Sequence, residues 1–445
     1  MSISCPRNTW PLVAVALSLA ATAVAADTVR LDAESAARLA VQASARMTAA
    51  DARRASAESA VASADAARMP TVTTSAVLSQ RSAVPEFSAP LNGPDAPPQV
   101  IFPNIETTYL ADVALSQPLY TGGAISAGRE AARHDLEAAG HSRDLTVVDL
   151  RYAARVAYWQ AVSTDAALRA AEAQEVRARR LQDDAQAMRA AGMAVDADVL
   201  GAEARAEAAH VDVVHAAAVR DDALAALRSL LGLDAGIPLE LADAGTVAVP
   251  AAPAALDGLV GEAMEQRPEL RVAEAQIASL AARERAVDAG RKPSVGLSAQ
   301  WDLARPNQRY LPLADTWNDS WSVGVMATWK LFDGDRVRSD VATVRAQRSA
   351  AAADREELAR QVRLAVESAR LNLQAALDAV PAADASRRAA EAREASSRER
   401  YAAGLAPIQE MLDAQADLAD AELAQIRTRA GAWIAAAGLD RAVGR

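Results

Sequence analysis

The sequence predicts a mainly α-helical protein with a small β part, in which a unit of short strands and one very long helix is present twice. The 445 residues contain only 4% aromatic residues, and alanine, which favours long and closely packed helices, is abundant. Two corner sequences, AAGMAVDADVLGA at 190–202 and AAGLAPIQEMLDA at 402–414, align without a gap. Four further segments alternate apolar and polar residues, which is the pattern of β-strands.

The first 26 residues have the composition of a secretory signal peptide. Arg7 supplies a positive charge, residues 10–23 form an apolar stretch, and small residues precede Asp27. A membrane anchor is the alternative, and it is disfavoured because the apolar stretch is shorter than the roughly 20 residues that span a bilayer. Cys5 is the only cysteine, so we expect a mature chain without a disulfide. The formal net charge of −11 argues against a nucleic-acid partner.

Both units contain the same elements in the same order: a helix, a strand, a loop, a second strand, a very long helix and a shorter returning helix. We place the first structural repeat at 27–231, an inter-repeat segment at 232–259, the second repeat at 260–437 and a tail at 438–445. The opening helices are expected at 33–68 and 255–289, the strands at about 71–79, 108–120, 294–301 and 321–330, the long helices at about 124–190 and 336–403, and the returning helices at about 196–231 and 407–437. At ~1.5 Å per residue each long helix would extend roughly 100 Å, and Pro381 should kink the second.

The strand at 321–330 indicates what surrounds the sheet. One face carries only Trp321, Val323, Val325, Ala327 and Trp329. At ~3.3 Å per residue the two tryptophans lie about 26 Å apart, close to the ~25 Å apolar band of an outer-membrane β-barrel. Four strands cannot close such a barrel, so we expect several copies to pool their strands. The alternative is two amphipathic hairpins packed on a soluble core. On the barrel hypothesis, the membrane-interface aromatics are Trp301, Trp321, Trp329 and Tyr109.

These features resemble those of the TolC-like outer-membrane efflux channels, also called outer-membrane factors. The resemblance depends on LSQPLYTGG at 115–123 with its second copy ATWKLFDGD at 327–335, LRSLLGLD at 227–234, AMEQRPEL at 263–270 and the two corners. These motifs span nearly all of the chain after the predicted signal. The first repeat departs from the family pattern because it lacks the Asn-Pro or Arg-Pro pair that the second keeps as Arg267-Pro268. The lipid anchor of many relatives would also need a cysteine after the signal.

The resemblance implies a homotrimer in the outer membrane of a Gram-negative bacterium, in contact with outer-membrane lipid. Each protomer would give four strands to a shared 12-stranded barrel and its helices to a long periplasmic tunnel, with the inter-repeat segment near the tunnel's equator. Such channels are passive exit ducts of tripartite efflux or type I secretion systems. They work with a periplasmic adaptor (membrane fusion) protein and an inner-membrane pump of the RND, ABC or MFS type.

The corners lie at the helix ends that are remote from the strands. Gly192 and Gly404 suit the left-handed backbone that ends a helix, and the resemblance makes Gly192, Met193, Gly404 and Leu405 the adaptor-contact tips. Acidic residues after each corner suit a helix N-terminus, which is a common and purely structural role. The resemblance adds a second role, because acidic rings narrow the entrance of these channels and select cations. The candidate gate residues are Glu410, Asp413, Asp198 and Tyr401, and for Asp196 and Asp198 the gate and helix-cap interpretations both stay open.

No catalytic or metal-binding pattern competes with this interpretation. The four histidines have no partner at metal-ligand spacing, and the chain has no phosphate loop, nucleophile motif or dinucleotide fingerprint. We therefore expect no enzyme activity, no metal site and no cofactor. The alternative function is a soluble periplasmic coiled-coil adaptor or scaffold protein, in which protein instead of lipid would cover the strand faces.

Overall fold

The computed structural model describes residues 29–90, 93, 96–242 and 248–445, so the predicted signal peptide at 1–26 lies outside the described residues. In chain order the elements are β1 (Val29–Leu31), α1 (Ala33–Ala43), α2 (Ala45–Ala66), β2 (Thr71–Gln80), β3 (Phe87–Ala89), β4 (Gln99–Phe102), β5 (Thr107–Tyr120), α3 (Ala124–Ala190), α4 (Asp196–Leu231), β6 (Leu239–Leu241), α5 (Leu256–Gln266), α6 (Pro268–Asp288), β7 (Ser294–Arg305), β8 (Asn318–Thr328), α7 (Arg336–Ala402) and α8 (Ile408–Val443). The predicted fold class, mainly helical with a small β part and a duplicated unit, is confirmed. None of the described helices is long and apolar enough to cross a membrane.

The two repeats have helices of equal length and share individual hydrogen bonds. α3 and α7 contain 67 residues each, and α4 and α8 contain 36 each. Gln117 Nε2 donates to the Arg68 carbonyl at 2.7 Å, and at the corresponding positions Trp329 Nε1 donates to the Arg291 carbonyl at 3.0 Å. The duplication is therefore present in atomic contacts as well as in sequence.

One ion pair between helices is duplicated too. Arg143 on α3 contacts Asp51 on α2 at 2.5 Å, and Arg355 on α7 contacts Glu274 on α6 at 2.6 Å. Each pair joins a long helix to an opening helix of its own repeat. Because exposed ion pairs stabilise a protein by only about 0–1 kcal/mol, their recurrence reports a shared geometry more than a large contribution to stability.

The opening helix of each repeat differs from the expectation because it is broken in two. The helix expected at 33–68 is interrupted at Ser44, whose hydroxyl oxygen accepts a hydrogen bond from the Arg46 amide. The helix expected at 255–289 is interrupted at Arg267, and Pro268 begins α6. An N–H in the first turn of a helix has no intrahelical acceptor, so the missing N–H of proline costs no hydrogen bond there. The break thus occurs at corresponding places with different chemistry. A serine cap replaces the proline in the first repeat.

Other boundaries shift by a few residues. β8 begins at Asn318 and ends at Thr328, so Trp329 follows the strand, and α7 continues through Pro381 to Ala402. α8 extends to Val443, well beyond the expected end at Ala437, because its last turns pack with α5 and α7 in an apolar cluster.

Four strands form one antiparallel sheet in the order β2-β5-β7-β8. The pairing of β5 with β7 joins the first repeat to the second. Trp301 on β7 lies directly opposite Val113 on β5 and Trp321 on β8, so these apolar side chains share one face. Among the described residues β2 and β8 each pair with one strand of this sheet, and both of its edges are open.

The main helical core lies where β1 and β6 pair in parallel. Tyr158 is fully buried there and donates to the Leu31 carbonyl at 3.3 Å. Trp159 stacks on Trp433 with ring centroids 4.8 Å apart, and Trp433 Nε1 donates to the Ala248 carbonyl at 2.6 Å. Ala248 belongs to the inter-repeat segment, which is thereby attached to helices of both repeats.

Arg155 also joins the two repeats, at the level of the β1–β6 pair. From α3 it contacts Glu34 on α1 at 2.8 Å and Asp440 on α8 at 3.0 Å. Burial raises the pKa of the Asp440 carboxyl, while the charge of Arg155 opposes this rise. The C-terminal turns of α8 are therefore held by charge as well as by apolar packing.

Substitution of Gly122 would test the close contact between the two repeats. Its φ is +64°, and a Cβ there would lie 2.7 Å from the Ala289 carbonyl oxygen and 2.8 Å from Lys292 Cβ. We expect Gly122→Ala to lower the free energy of unfolding by about 1–3 kcal/mol, through the left-handed backbone and the displaced contact. Gly128→Ala is the matched control, because a Cβ on Gly128 meets nothing within 4 Å and alanine favours the helix by about 0.5–1 kcal/mol. Thermal unfolding measures both variants, and equal midpoints would contradict the contact.

Candidate functional site

The two corners have the same backbone geometry. Gly192 and Gly404 take left-handed φ values of 75° and 69°, as predicted for residues that end α3 and α7. The amides of Met193 and Leu405 each donate to a carbonyl of the preceding helix at 2.8 Å. Their side chains are 70% and 73% exposed. The four residues expected to contact an adaptor therefore lie at the corners, and two of them present apolar side chains at the surface.

A small apolar core joins the two corners. Its buried members come from all four helices that meet there: Leu181, Ala185, Ala202, Tyr401, Ile408 and Met411. Because both helix pairs contribute, any separation of one corner from the other must expose part of this core.

Tyr401 is the polar member of that core. It is 7% exposed, and its hydroxyl has no hydrogen-bond partner among the described residues. Burial raises the pKa of Tyr401, and the negative charges of Asp198 and Asp184 raise it further. The structure thus brings Tyr401 near Asp198, although no hydrogen bond joins these two predicted gate residues.

Glu410 and Asp413 lie in different environments, although both are candidate gate residues and lie three positions apart on one helix. Glu410 is half-buried, and its Oε1 accepts hydrogen bonds from Arg400 Nη1 at 2.7 Å and from Ser397 Oγ at 3.4 Å. Asp413 is exposed and accepts a hydrogen bond from the neutral amide of Gln409 at 2.8 Å. The charge of Glu410 is therefore compensated by Arg400, whereas Asp413 keeps a negative charge facing the surroundings.

Arg400 is a residue that the sequence analysis missed. Ala406, within the corner itself, has no donor on its side chain. Arg400 supplies a guanidinium from the other side of the corner and uses it for Glu410. The available signal was the basic residue ten positions before Glu410, but sequence alone does not show that the corner folds the two together.

The acids of the first corner contact their own corner. Asp198 Oδ2 accepts a hydrogen bond from the Val195 amide at 3.2 Å, and Asp196 contacts Arg189 at 2.5 Å. The Asp198 contact favours the helix-cap interpretation, because Val195 is the N-cap residue of α4, whereas Asp196 makes an ion pair with the preceding helix and does not cap α4. Asp198 also contributes to the field around Tyr401, so a cap does not exclude an influence on the corner.

A cavity of ≈ 370 Å³ lies beneath the corners between α3, α7 and α8. Tyr401 and Gln415 line it, and the Tyr401 hydroxyl and Gln415 Oε1 are both buried without a hydrogen-bond partner among the described residues. On the cavity wall the buried carboxylate of Glu394 is paired with Arg398. Buried polar atoms usually have a partner in protein or ordered water, so these two atoms are exceptions within the described part of the chain.

The predicted membrane-interface aromatics lie at different levels of the sheet. Trp301 and Trp321 face each other across one rung. Trp329 follows the end of β8 at the helix side of the sheet, and its indole is bonded to a backbone carbonyl. Tyr109 lies near the loop end of β5 and packs on Trp317 with ring centroids 5.5 Å apart.

In the described ranges, no three histidine, cysteine, aspartate or glutamate side chains come together in a way that would hold a metal ion. Three of the histidines lie near carboxylates instead, one of them being His141, whose Nδ1 is 3.8 Å from Asp144. His134 Nδ1 is 2.8 Å from Glu137, and His210 Nδ1 is 3.0 Å from Glu175.

Comparisons with known proteins agree with this architecture. The family model for the outer membrane efflux protein matches residues 36–233 and 259–445. Protein CyaE of Bordetella pertussis is 30% identical over 351 residues, which cover 73% of this chain and 70% of CyaE. The outer membrane protein VceC from Vibrio cholerae has a TM-score of 0.74 at 19% identity, covering 93% of this chain and 96% of that one. The MtrE outer membrane channel of Neisseria gonorrhoeae, in its open state, has a TM-score of 0.73 at 20% identity, covering 93% and 88%.

The buried phenol of Tyr401 predicts a loss of stability at high pH. Because the folded protein raises the pKa of Tyr401, its contribution is complete below the ordinary tyrosine pKa of about 10 and is lost as pH rises through the folded value. Tyr401→Phe should therefore show a shallower fall in thermal unfolding midpoint above about pH 10, with little change at neutral pH because the hydroxyl is unpaired. The exposed Tyr120 supplies the control, Tyr120→Phe, which should follow the wild type. A wild-type slope for Tyr401→Phe would contradict the assignment.

Proposed function

The chain belongs to the outer membrane efflux protein family, and from this premise we propose that three copies form one passive export duct whose corners close its periplasmic entrance. The protein is an outer-membrane export channel with a helical periplasmic extension. The trimer, the gate and the contacts with other components are the parts that we propose.

One observation carries the proposal: two matching corners end two helices of 67 residues, and an open sheet lies at the other end. At ~1.5 Å per residue each helix extends roughly 100 Å, which separates a membrane end from an entrance. Three copies would supply 12 strands and six corners, enough for a closed barrel above and a closed ring below.

The charges at the corners support a gate in which the two acids have different roles. Asp413 is exposed and has no cationic partner within the described part of the chain, so three copies would form a negatively charged ring. Glu410 is neutralised by Arg400 and would contribute little charge while that contact lasts. Tyr401 and the rest of the apolar core would hold the corner pairs together in the closed state, with Asp198 beside them.

The exposed side chains of Met193 and Leu405 support a contact with a periplasmic adaptor protein. Isolated apolar side chains on a surface need no explanation, but these two occupy matching positions at the tips of both hairpins. An inner-membrane pump of the RND, ABC or MFS type would then deliver the cargo through the adaptor. The duct itself would bind no cofactor and catalyse no reaction.

Fractionation tests the proposal as a whole. We expect the protein in the outer-membrane fraction as a trimer that resists dissociation by detergent at room temperature, and we expect it to conduct ions in planar bilayers. A soluble, monomeric periplasmic protein would overturn the proposal and restore the adaptor or scaffold alternative.

Block of the conductance by trivalent cations tests the gate. Asp413→Asn should weaken block at least about tenfold, because it removes three facing charges, each worth about 1 kcal/mol at ~4 Å in water. Glu410→Gln should have a smaller effect, since Arg400 already neutralises that carboxylate. Arg400→Ala should strengthen block by releasing Glu410.

Asp196→Asn is the control for these variants, because Asp196 is already paired with Arg189 at the other corner. Equal effects of Asp413→Asn and Asp196→Asn would remove Asp413 from the gate. An unchanged block in Arg400→Ala would show that the charge of Glu410 does not reach the ion path.

A further inference from the structure

The cavity beneath the corners contains a hydrogen-bond acceptor that the described residues leave without a donor. Gln415 is 1% exposed, and its Nε2 donates to the Arg177 carbonyl at 3.5 Å, whereas its Oε1 is buried and receives no hydrogen bond from them. An amide oxygen can only accept. Because a buried acceptor without a donor destabilises a protein, the occupant of this cavity should bring an N–H or O–H group to Gln415 Oε1.

The Tyr401 hydroxyl is a second polar group on the wall for which the described part of the chain offers no partner. Unlike the amide oxygen, a phenol hydroxyl can both donate and accept, so it fits an occupant of either kind. Tyr401 lies on α7 and Gln415 lies on α8. A molecule that contacts both residues therefore joins these two helices.

The apolar part of the wall favours an aromatic occupant. Leu181, Met188 and Met411 line the cavity together with Tyr401. Methionine side chains adapt to irregular shapes, and their sulfur atoms make favourable contacts with aromatic rings. The volume of ≈ 370 Å³ exceeds the about 150 Å³ that accommodates benzene in an engineered protein cavity. One aromatic ring or two fused rings therefore fit.

The buried charges of the wall are already paired within the protein. Arg177 contacts Glu422 at 2.8 Å, and the carboxylate of Glu394 is paired with Arg398. The other two charged wall residues, one arginine and one aspartate, are exposed and of opposite sign. A charged occupant would lose its hydration without gaining an uncompensated charge inside, which is unfavourable. The wall therefore favours a neutral molecule.

We infer that this cavity binds a small neutral aromatic molecule that carries an N–H or O–H donor, the chemical class of indoles and phenols. The donor meets Gln415 Oε1, and the ring packs among Leu181, Met188 and Met411. Ordered water is the alternative occupant. Water would satisfy the polar atoms but would leave the apolar part of the wall wet.

The site overlaps the apolar core that joins the two corners. Leu181, Tyr401 and Met411 line the cavity and are also buried members of that core. Separation of the corners would therefore take the site apart, and a molecule bound there stabilises the joined corners by mass action. This step rests on the proposed function, in which joined corners are the closed state of the duct. The bound molecule is then an inhibitor of opening.

Calorimetric titration of the full-length trimer in lipid nanodiscs tests the binding. The probes are indole and indene, which has nearly the same shape but lacks the N–H. We expect saturable binding of indole, and we expect Gln415→Met to lower the preference for indole over indene at least about tenfold, because the acceptor is lost. Partition of each probe into lipid cancels in this comparison. Gln415→Asn, which withdraws the amide by one methylene, gives a second test if the methionine variant forms no native trimers.

The matched control is Gln186→Met, since Gln186 is an exposed glutamine of α3 that does not line the cavity. It should keep the wild-type preference. Absence of saturable indole binding to the wild type would leave water as the occupant and overturn the inference. An unchanged preference in a folded Gln415 variant would overturn the assignment of the acceptor.

Planar-bilayer recording tests the effect on opening. At a free indole concentration ten times the dissociation constant, a molecule that binds only the joined corners lowers the ratio of open to closed channels about tenfold. Gln415→Met should need at least about tenfold more indole for the same effect, and Gln186→Met should match the wild type. Saturable binding with unchanged opening would overturn the inhibitory role. Absence of conductance before indole is added would instead contradict the proposed function, whereas the calorimetric result does not depend on it.

Discussion

Backbone hydrogen bonding in hydrocarbon is the constraint on which the rest of this structure depends. A strand in lipid has no water to satisfy its N–H and C=O groups, so each edge must meet another strand. The described sheet satisfies this requirement inside and leaves it open at β2 and β8. Assembly is therefore demanded by the backbone before any side chain is considered. Because a long helix follows the second strand of each repeat, a ring of strands also imposes a ring of helices below it.

The long elements could be predicted from sequence because their signals are local. The helix predicted at 124–190 has those bounds in the structure, since a Gly-Gly corner precedes it and Gly192 follows it. Both breaks in the opening helices were missed. Serine is tolerated inside helices and marks a cap only weakly, and Pro268, which does mark the second break, was counted inside a single helix. Which residues of a strand share a face, by contrast, follows from the alternation of apolar and polar side chains.

The environment of the site residues could not be predicted in the same way. Glu410 and Asp413 look equivalent in sequence, three residues apart at the start of one helix. Their difference arises from Arg400, which reaches Glu410 only because the corner turns α7 back on α8. The unpaired hydroxyl of Tyr401 and the cavity beside it depend on four helices converging, a condition that no local pattern encodes. Helices and strands can be predicted from the local sequence. The ion pairs of a corner depend on residues that only folding brings together.

The equal lengths of α3 and α7 have a consequence for how such a chain changes over generations. An α-helix advances ~1.5 Å and turns about 100° per residue, so one residue deleted from α7 alone would raise Leu405 and rotate it away from the level of Met193. The same deletion would rotate every buried residue that follows it in α7 away from the helices against which that residue packs. Insertions and deletions in these helices are therefore tolerated only when both copies acquire them together. The loops that connect the strands do not need to have equal lengths. Differences in loop length should therefore accumulate while the two long helices keep the same length.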